Sequence, residues 1–141
     1  MFLQWFSQNK KKVKRLGLHH SNLTIVGIHH RRGDHLQYEK AYKIPHITMG
    51  YIGPSMDLFR NMFNNTVMFI YVSDDKEWIK NNMKRDKDVI VGSSDSTGDD
   101  LALLSLCHHT IMTRGTFSTW AAMLAGGLYI RDALNICTHD K

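Results

Sequence analysis

The sequence has few of the residues that define several classes of protein. Its 141 residues include only two cysteines and two prolines. Two cysteines cannot build a disulfide scaffold or a four-cysteine zinc site. No apolar run reaches the roughly 18 residues that a membrane-spanning helix needs. The apolar start Met1–Phe6 is too short for a signal-peptide core, so these residues predict no membrane segment.

Acidic residues are missing from the first part of the chain. Five basic residues within Lys10–Arg15 precede His29, and the remainder carries 13 basic and 13 acidic residues. The net charge of +5 therefore comes from one segment. Lys10–Arg15 resembles a nuclear-localisation or nucleic-acid patch, but a solvated helix end is the simpler interpretation. A nucleic-acid-binding face needs basic residues spread over the folded surface, so we expect no nucleic-acid partner.

The pattern of apolar residues predicts one α/β domain. Short apolar runs predict buried strands at Leu23–His29, Val67–Val72, Asp88–Val91, His109–Thr113 and Leu128–Ile130. Helical spacing predicts helices at Phe2–Leu16, Met56–Phe63, Trp78–Met83, Leu101–Leu104 and Thr116–Ala125. Alternating strands and helices form right-handed βαβ units, so we expect a Rossmann-like parallel sheet with helices on both faces. Residues 1–22 are assigned to an N-terminal helix and basic segment, and 23–141 to the Rossmann-like domain.

Single residues add local expectations. Ser73 is expected to cap the helix after the second strand. Pro45 and Pro54 are expected to mark loops. Trp78 and Trp120 are expected to lie in the core. Parallel sheets bind ligands at the carboxyl ends of their strands, so the loops after the strands are the places to search for a site.

Two adjacent arginines, Arg31 and Arg32, leave the first predicted strand. A guanidinium fork fits a carboxylate or a phosphate with two hydrogen bonds. Asp34 is a candidate partner for Arg31, which would make the group a buried ion pair that fixes the loop. An ion pair and a phosphate site are equally compatible with the residues.

Two further loops carry candidate binding groups. Ser73-Asp74-Asp75 has the composition of a helix N-terminus, or of a site in which one carboxylate accepts the donors on guanine's Watson–Crick edge. The last helix begins with Gly115-Thr116-Phe117-Ser118, whose backbone N–H groups and hydroxyls suit an anion. This segment lacks the Gly-Lys-Ser/Thr signature of a P-loop.

Nine histidines raise the question of a metal site. Their clusters, including His29-His30 and His108-His109, match no recognised zinc-ligand spacing, so we expect none. The sequence also has no G-x-S-x-G motif, which disfavours Ser/His/Asp hydrolysis.

Three segments resemble a known family of enzymes. Ile25–Asp34 (IVGIHHRRGD) resembles the H-x-R-R-x-D motif of the α-1,2-, α-1,6- and protein O-fucosyltransferase superfamily. Phe69–Trp78 (FIYVSDDKEW) and Asp100–Gly127 (DLALLSLCHHTIMTRGTFSTWAAMLAGG) look specifically like the galactoside α-1,2-fucosyltransferases, the family-11 glycosyltransferases. The resemblance runs from Ile25 to Gly127, with the motifs in the family's order.

The resemblance implies transfer of L-fucose from GDP-β-L-fucose to a sugar hydroxyl, with inversion and without a metal or other cofactor. The family fold is two Rossmann-like domains facing across a cleft, the GT-B arrangement, and this chain resembles the GDP-fucose-binding one. Carried over by position, Arg31 is the catalytic group that holds the diphosphate and stabilises the departing GDP. The remaining donor-binding positions implied are His29, Arg32, Asp34, Asp74, Asp75, Thr116, Ser118 and Thr119.

The resemblance also sets expectations about the rest of the enzyme. The acceptor would be a galactose-containing glycan, and the location the luminal side of the Golgi membrane. The acceptor-side domain and the membrane anchor expected of the family fall outside these 141 residues. A truncated, non-catalytic GDP-sugar-binding remnant is therefore the alternative function. In a luminal protein, Asn22 and Asn64 are possible glycosylation acceptors, because each begins an N-x-T sequence.

Overall fold

The structure is a computed structural model that describes residues 22–92 and 96–132. The predicted helix Phe2–Leu16 and the basic run lie outside these residues. Residues 22–92 and 96–132 form five strands: β1 Thr24–His30, β2 Val67–Ser73, β3 Val89–Val91, β4 His109–Met112 and β5 Tyr129–Arg131. Five helices accompany them: α1 Gly33–Ala41, α2 Met49–Met62, α3 Lys76–Asn82, α4 Thr97–Ser105 and α5 Thr116–Ala125.

The strands form one parallel sheet in the order β3-β2-β1-β4-β5. The central strand β1 places His29 opposite Val72 of β2 and opposite Met112 of β4. The chain builds β1, β2 and β3 outward in one direction and then crosses back to β4. The order therefore reverses between β1 and β4, and such a switch point leaves a crevice at the carboxyl edge of the sheet.

Each face of the sheet is covered by two helices. On one face, Val26 and Ile28 pack with Phe59 of α2 and Ile79 of α3. The other face packs against Leu104 of α4 and Ala121 of α5. On this face a Cβ at Gly27 would lie 2.8 Å from Leu104 Cδ2, so glycine is what lets α4 approach the central strand. The predicted Rossmann-like parallel sheet with helices on both faces is confirmed.

The stretch between His30 and Gly50 contains a helix that the apolar pattern did not predict. The one buried residue of α1 is Glu39, so its inward face is charged and shows no hydrophobic periodicity. Asp34 in its first turn and Lys40 in its last complement the helix dipole. Charge therefore replaces apolar burial as the local signal for this helix.

The expectations for Pro54 and Trp120 are wrong. Pro54 lies inside α2 rather than in a loop. Its missing N–H would have bonded the carbonyl of Gly50, and both residues are exposed, so water can serve that carbonyl. Trp120 is 57% exposed on the outer side of α5 rather than in the core, while Trp78 is partly buried. The residues that follow Trp120 on α5, Ala121 and Ala122, are buried instead.

Two histidines complete the hydrogen bonding at the amino edge of the sheet. Ile25 N–H donates to His108 Nδ1 at 2.9 Å, and Leu128 N–H donates to His109 Nδ1 at 3.0 Å. The His109 ring also lies close to the rings of Phe59 and Phe63. Burial lowers the pKa of His109 below its usual value. Within the described ranges, no helix is both long and apolar enough to cross a membrane.

Candidate functional site

The predicted site residues come together at the carboxyl edge of the sheet. The loop after β1 carries Arg31 and Arg32, and the loop after β2 carries Asp74 and Asp75. The loop after β4 leads into α5 across the switch point. Thr113 Oγ1 donates to the backbone carbonyl of His29 at 2.9 Å, which ties the ends of β4 and β1 together.

Arg31 forms an ion pair with Asp34 at the mouth of this edge. Its Nε and Nη2 atoms donate to the two carboxylate oxygens at 3.0 and 2.9 Å. The side chains of Arg31 and Asp34 are 47% and 71% exposed, so the expected buried pair is wrong and the pair faces solvent. Exposed ion pairs stabilise folded proteins only weakly. The guanidinium can therefore exchange this partner for an anionic ligand at little cost.

Arg32 occupies a different environment from its neighbour. Its Nε donates to Asp75 Oδ2 at 3.2 Å, and its guanidinium lies 4.3 Å from the centre of the Trp78 ring. The side chain is only 14% exposed. Its backbone N–H also donates to Asp74 Oδ1 at 2.8 Å, which joins the β1 loop to the β2 loop. Arg32 therefore holds the loop in place, while Arg31 projects from it.

The cap of α3 is Asp75 and not Ser73. Asp75 Oδ1 accepts from Trp78 N–H at 3.0 Å, in the usual N-cap manner. Ser73 Oγ instead accepts from Asp75 N–H, because β2 runs on through Ser73 and the helix begins later. Both carboxylate oxygens of Asp75 thus have partners within the protein. Asp74 is exposed, and its Oδ2 lies against Gly33, where a Cβ would approach to 2.5 Å.

His29 is buried at the switch point. Its Nδ1 forms a 2.6 Å hydrogen bond with the hydroxyl of Ser118, and its ring packs on Phe117. Ser118 is fully buried, so this pair connects β1 to α5. Burial lowers the pKa of His29 to about 4, which keeps the ring neutral at physiological pH.

A buried aromatic cluster under Arg32 was not singled out from the sequence. His30 Nδ1 forms a 2.9 Å hydrogen bond with the Tyr71 hydroxyl, and the His30 ring meets Trp78 edge-on. Burial, with Arg32 nearby, lowers the pKa of His30 to about 4. Burial also raises the pKa of Tyr71. The His29-His30 pair at the end of the first strand was the available signal, since adjacent strand residues face opposite sides of a sheet.

The N-terminus of α5 opens onto the same edge. Gly115, its N-cap residue, has φ +100°, which favours glycine there, and no side chain of the described residues caps the helix. Thr116 and Thr119 are exposed beside it. Thr119 Oγ1 is directed to the carbonyl of Gly115 at 3.4 Å. Of the three predicted hydroxyl positions, Thr116 and Thr119 are thus at the surface and Ser118 is not.

Neither predicted glycosylation site is buried. Asn22 and Asn64 are both exposed, and Asn64 lies in the turn after α2 with φ +50°. Among residues 22–92 and 96–132, no group of three or more histidine, cysteine or acidic side chains is placed to hold a metal ion.

The fold and this edge define a Rossmann-like domain whose switch point carries an exposed, ion-paired arginine and the N-terminus of α5, uncapped by any described side chain. The family model for glycosyl transferase family 11 matches residues 2–139. The chain therefore belongs to glycosyl transferase family 11. It is 38% identical over 109 residues to rat (Rattus norvegicus) galactoside alpha-(1,2)-fucosyltransferase 2 and 42% identical to galactoside alpha-(1,2)-fucosyltransferase 1 of Ateles belzebuth. Each match covers 74% of this chain and 30% of the relative, so the chain spans about three tenths of the relatives' length.

Proposed function

We propose that the chain is the donor-binding part of an inverting fucosyltransferase that moves L-fucose from GDP-β-L-fucose to the 2-hydroxyl of a galactose on a glycan. Membership of family 11 and the similarity to two galactoside alpha-(1,2)-fucosyltransferases support this activity. The observation that carries it is the position of Arg31. Its guanidinium is exposed, weakly paired and attached to a loop fixed at the switch point.

The chemistry at this edge is a displacement at the anomeric carbon of fucose. The acceptor hydroxyl forms the new bond on one face while the bond to GDP breaks on the other, which inverts the configuration. The acceptor's proton goes to a base that none of the described residues is assigned to supply. Negative charge develops on the departing diphosphate, and Arg31 is the catalytic group that stabilises it with two charge-assisted hydrogen bonds.

The other positions have supporting roles in this proposal. Asp74 reads guanine through Oδ2, because Oδ1 accepts from Arg32 N–H. Thr116 and Thr119 line the diphosphate together with the N-terminus of α5. His29 and Ser118 hold α5 against β1, and Arg32 with Asp75 holds the Arg31 loop. Asp34 pairs with Arg31 in the absence of the donor, and the diphosphate replaces it when the donor binds. Direct donor contacts from His29, Arg32, Asp34, Asp75 and Ser118 stay predictions.

The proposal includes a setting for the reaction. We expect no cofactor or metal to be required, because Arg31 and the N-terminus of α5 would stabilise the charge on the departing diphosphate, and chelation with EDTA should leave transfer unchanged. The acceptor is a galactose-containing glycan on the luminal side of the Golgi membrane. A membrane anchor in another part of the protein would hold the enzyme there.

The test measures donor binding and transfer separately on the 141-residue chain. Calorimetry with GDP, ADP and UDP at millimolar nucleotide gives binding and base selectivity, and we expect GDP to bind best. Asp74→Asn should reduce the preference for GDP over UDP, because the amide keeps an oxygen for Arg32 N–H but replaces the carboxylate oxygen facing the base. Its melting temperature, which we expect to be unchanged, is the control.

The transfer assay uses radiolabelled GDP-fucose and a galactoside. A product fucosylated at the 2-hydroxyl with inverted configuration supports the proposal. Binding of GDP without transfer would favour the alternative of a non-catalytic GDP-sugar-binding remnant. No heat with any nucleotide, on protein that melts cooperatively, would contradict both.

A further inference from the structure

The most buried charge network of the described residues is built around Glu39 of α1. This side chain is 4% exposed, and it is the only acid among the buried residues of the described chain. Its Oε1 accepts from Arg114 Nη1 at 2.6 Å, and its Oε2 forms a 2.5 Å hydrogen bond with His46 Nδ1. Burial raises the pKa of Glu39, but the hydrogen bonds from His46 and Arg114 outweigh it and leave the pKa below its usual value.

Arg114 uses its whole guanidinium in this network. Besides Glu39, it donates to the carbonyl of Pro45 and, through Nε and Nη2, to Asp132 Oδ2 at 3.1 and 2.9 Å. Its side chain is 16% exposed. A lysine cannot reproduce this fork, because an ammonium is a point charge on a flexible stem.

The positions of Arg114 and Glu39 in the chain connect this ion pair to the candidate site. Arg114 immediately precedes Gly115, the N-cap residue of α5, and Glu39 lies in α1, which begins directly after Arg31 and Arg32. The Arg114–Glu39 contact therefore bridges the two arms of the crevice: the arm that carries Arg31 and the arm that ends in the N-terminus of α5. The ends of β1 and β4 are also joined by Thr113 to the carbonyl of His29, and β1 is joined to α5 by His29 and Ser118, so the Arg114–Glu39 contact is the one of these links that reaches α1.

We propose that Arg114 and Glu39 are positioning residues that set the spacing of these two arms and so control affinity for the nucleotide-sugar donor. The proposal rests on the proposed function, because it takes the donor's diphosphate as the group gripped between the arms. Neither residue touches the donor. They act by preorganisation, so the arms need no rearrangement when the ligand binds.

The test compares Arg114→Lys with a matched control, Arg60→Lys. Arg60 is also a mostly buried arginine, bonded to Asp57, Asp86 and Asp88. It lies at the opposite edge, because Asp88 immediately precedes β3. Both variants should lower the melting temperature to a similar extent. Only Arg114→Lys should weaken GDP binding, by roughly 10- to 100-fold as for other small misplacements of binding groups.

Two further readouts separate positioning from general stability. In the transfer assay, Arg114→Lys should raise KM for GDP-fucose and leave KM for the acceptor unchanged. Without any ligand, amide hydrogen exchange should quicken in α1 and in the first turn of α5 for Arg114→Lys, and not for Arg60→Lys. If Arg114→Lys does not fold, Glu39→Gln provides the same comparison with the side-chain shape retained.

The outcomes are distinct. Unchanged GDP affinity in folded Arg114→Lys, or equal losses of affinity in both variants, would overturn the positioning role. Wild-type protein that binds no GDP would overturn the proposed function instead. Amide hydrogen exchange would then still test whether the Arg114–Glu39 contact couples the two arms. Faster exchange in both arms of Arg114→Lys, but not of Arg60→Lys, would support the coupling, and unchanged exchange would contradict it.

Discussion

Arg31 and Arg32 are adjacent in sequence, but their replacement by alanine should have opposite effects. Arg31→Ala is expected to weaken donor binding without destabilising the fold. Arg32→Ala is expected to destabilise the fold first. The two variants remove the same atoms from neighbouring positions, so each is the control for the other.

The expectation for Arg31 follows from its exposure. The bond to Asp34 is bidentate but open to solvent, and such pairs contribute little to stability. The melting temperature of Arg31→Ala should stay within about 3 °C of the wild type. A bidentate contact to a diphosphate is worth about 1.5–3 kcal/mol, so the affinity for GDP should fall roughly 10- to 100-fold. Arg31→Lys should not restore it, because the planar fork is lost.

The expectation for Arg32 follows from its burial against Trp78. A desolvated guanidinium over an indole ring contributes up to about 2 kcal/mol, and the partly exposed bond to Asp75 adds less. Loss of both with the buried stem should cost about 2–3 kcal/mol, or a fall of about 6–12 °C in melting temperature.

The assay is thermal unfolding and GDP calorimetry on the same preparations, below the melting temperature of the weaker variant. A large loss of stability in Arg31→Ala would show that the ion pair with Asp34 is structural, against the argument from exposure. Full stability and full affinity in Arg31→Ala would leave that residue without either role. A fully stable Arg32→Ala would refute the packing argument.

Two further predictions concern acid stability and glycosylation. Burial lowers the pKa of His29 and His30 to about 4, so between pH 6.5 and 4 the native protein binds fewer protons than the unfolded chain and stability falls as the pH falls. At pH 5 the loss should be about 2 kcal/mol for each histidine, and a urea midpoint that is the same at pH 7 and pH 5 would contradict this. Expressed in the secretory pathway, the chain should carry glycans at Asn22 and Asn64, removable by an N-glycosidase and lost singly in Asn22→Gln and Asn64→Gln. A tagged full-length product found in the nucleus would argue against the luminal location.

The strands were predictable because their signal is local and apolar. β1 and β2 bury nearly every side chain, and each predicted strand is present within one residue of its expected ends. Helix α5 matches its predicted bounds, Thr116–Ala125, because small apolar residues end in Gly126, which adopts the left-handed conformation of a helix C-terminus. The resemblance to family 11 rested on the same segments, and it is confirmed.

The features that were not predictable depend on long-range pairing of polar groups. Helix α1 is anchored by Glu39 to Arg114, 75 residues away, and no local pattern carries that contact. The alternatives for Arg31 differ in solvent exposure, which the sequence does not contain. Asp75 displaces Ser73 as the cap because β2 continues one residue further than its apolar run. The donor-binding roles stay predictions, since they depend on a ligand as well as on the fold.

The two histidines at the amino edge of the sheet have a chemical consequence of their own. Each ring accepts a backbone N–H through Nδ1, so the mobile proton of each neutral ring must reside on Nε2. His108 and His109 thus replace peptide carbonyls as partners for Ile25 and Leu128. An imidazolium has no lone pair to offer, and phenylalanine, although similar in shape, has none either. This end of the sheet is therefore completed by one tautomer of two side chains, and it keeps that form only while both rings are uncharged.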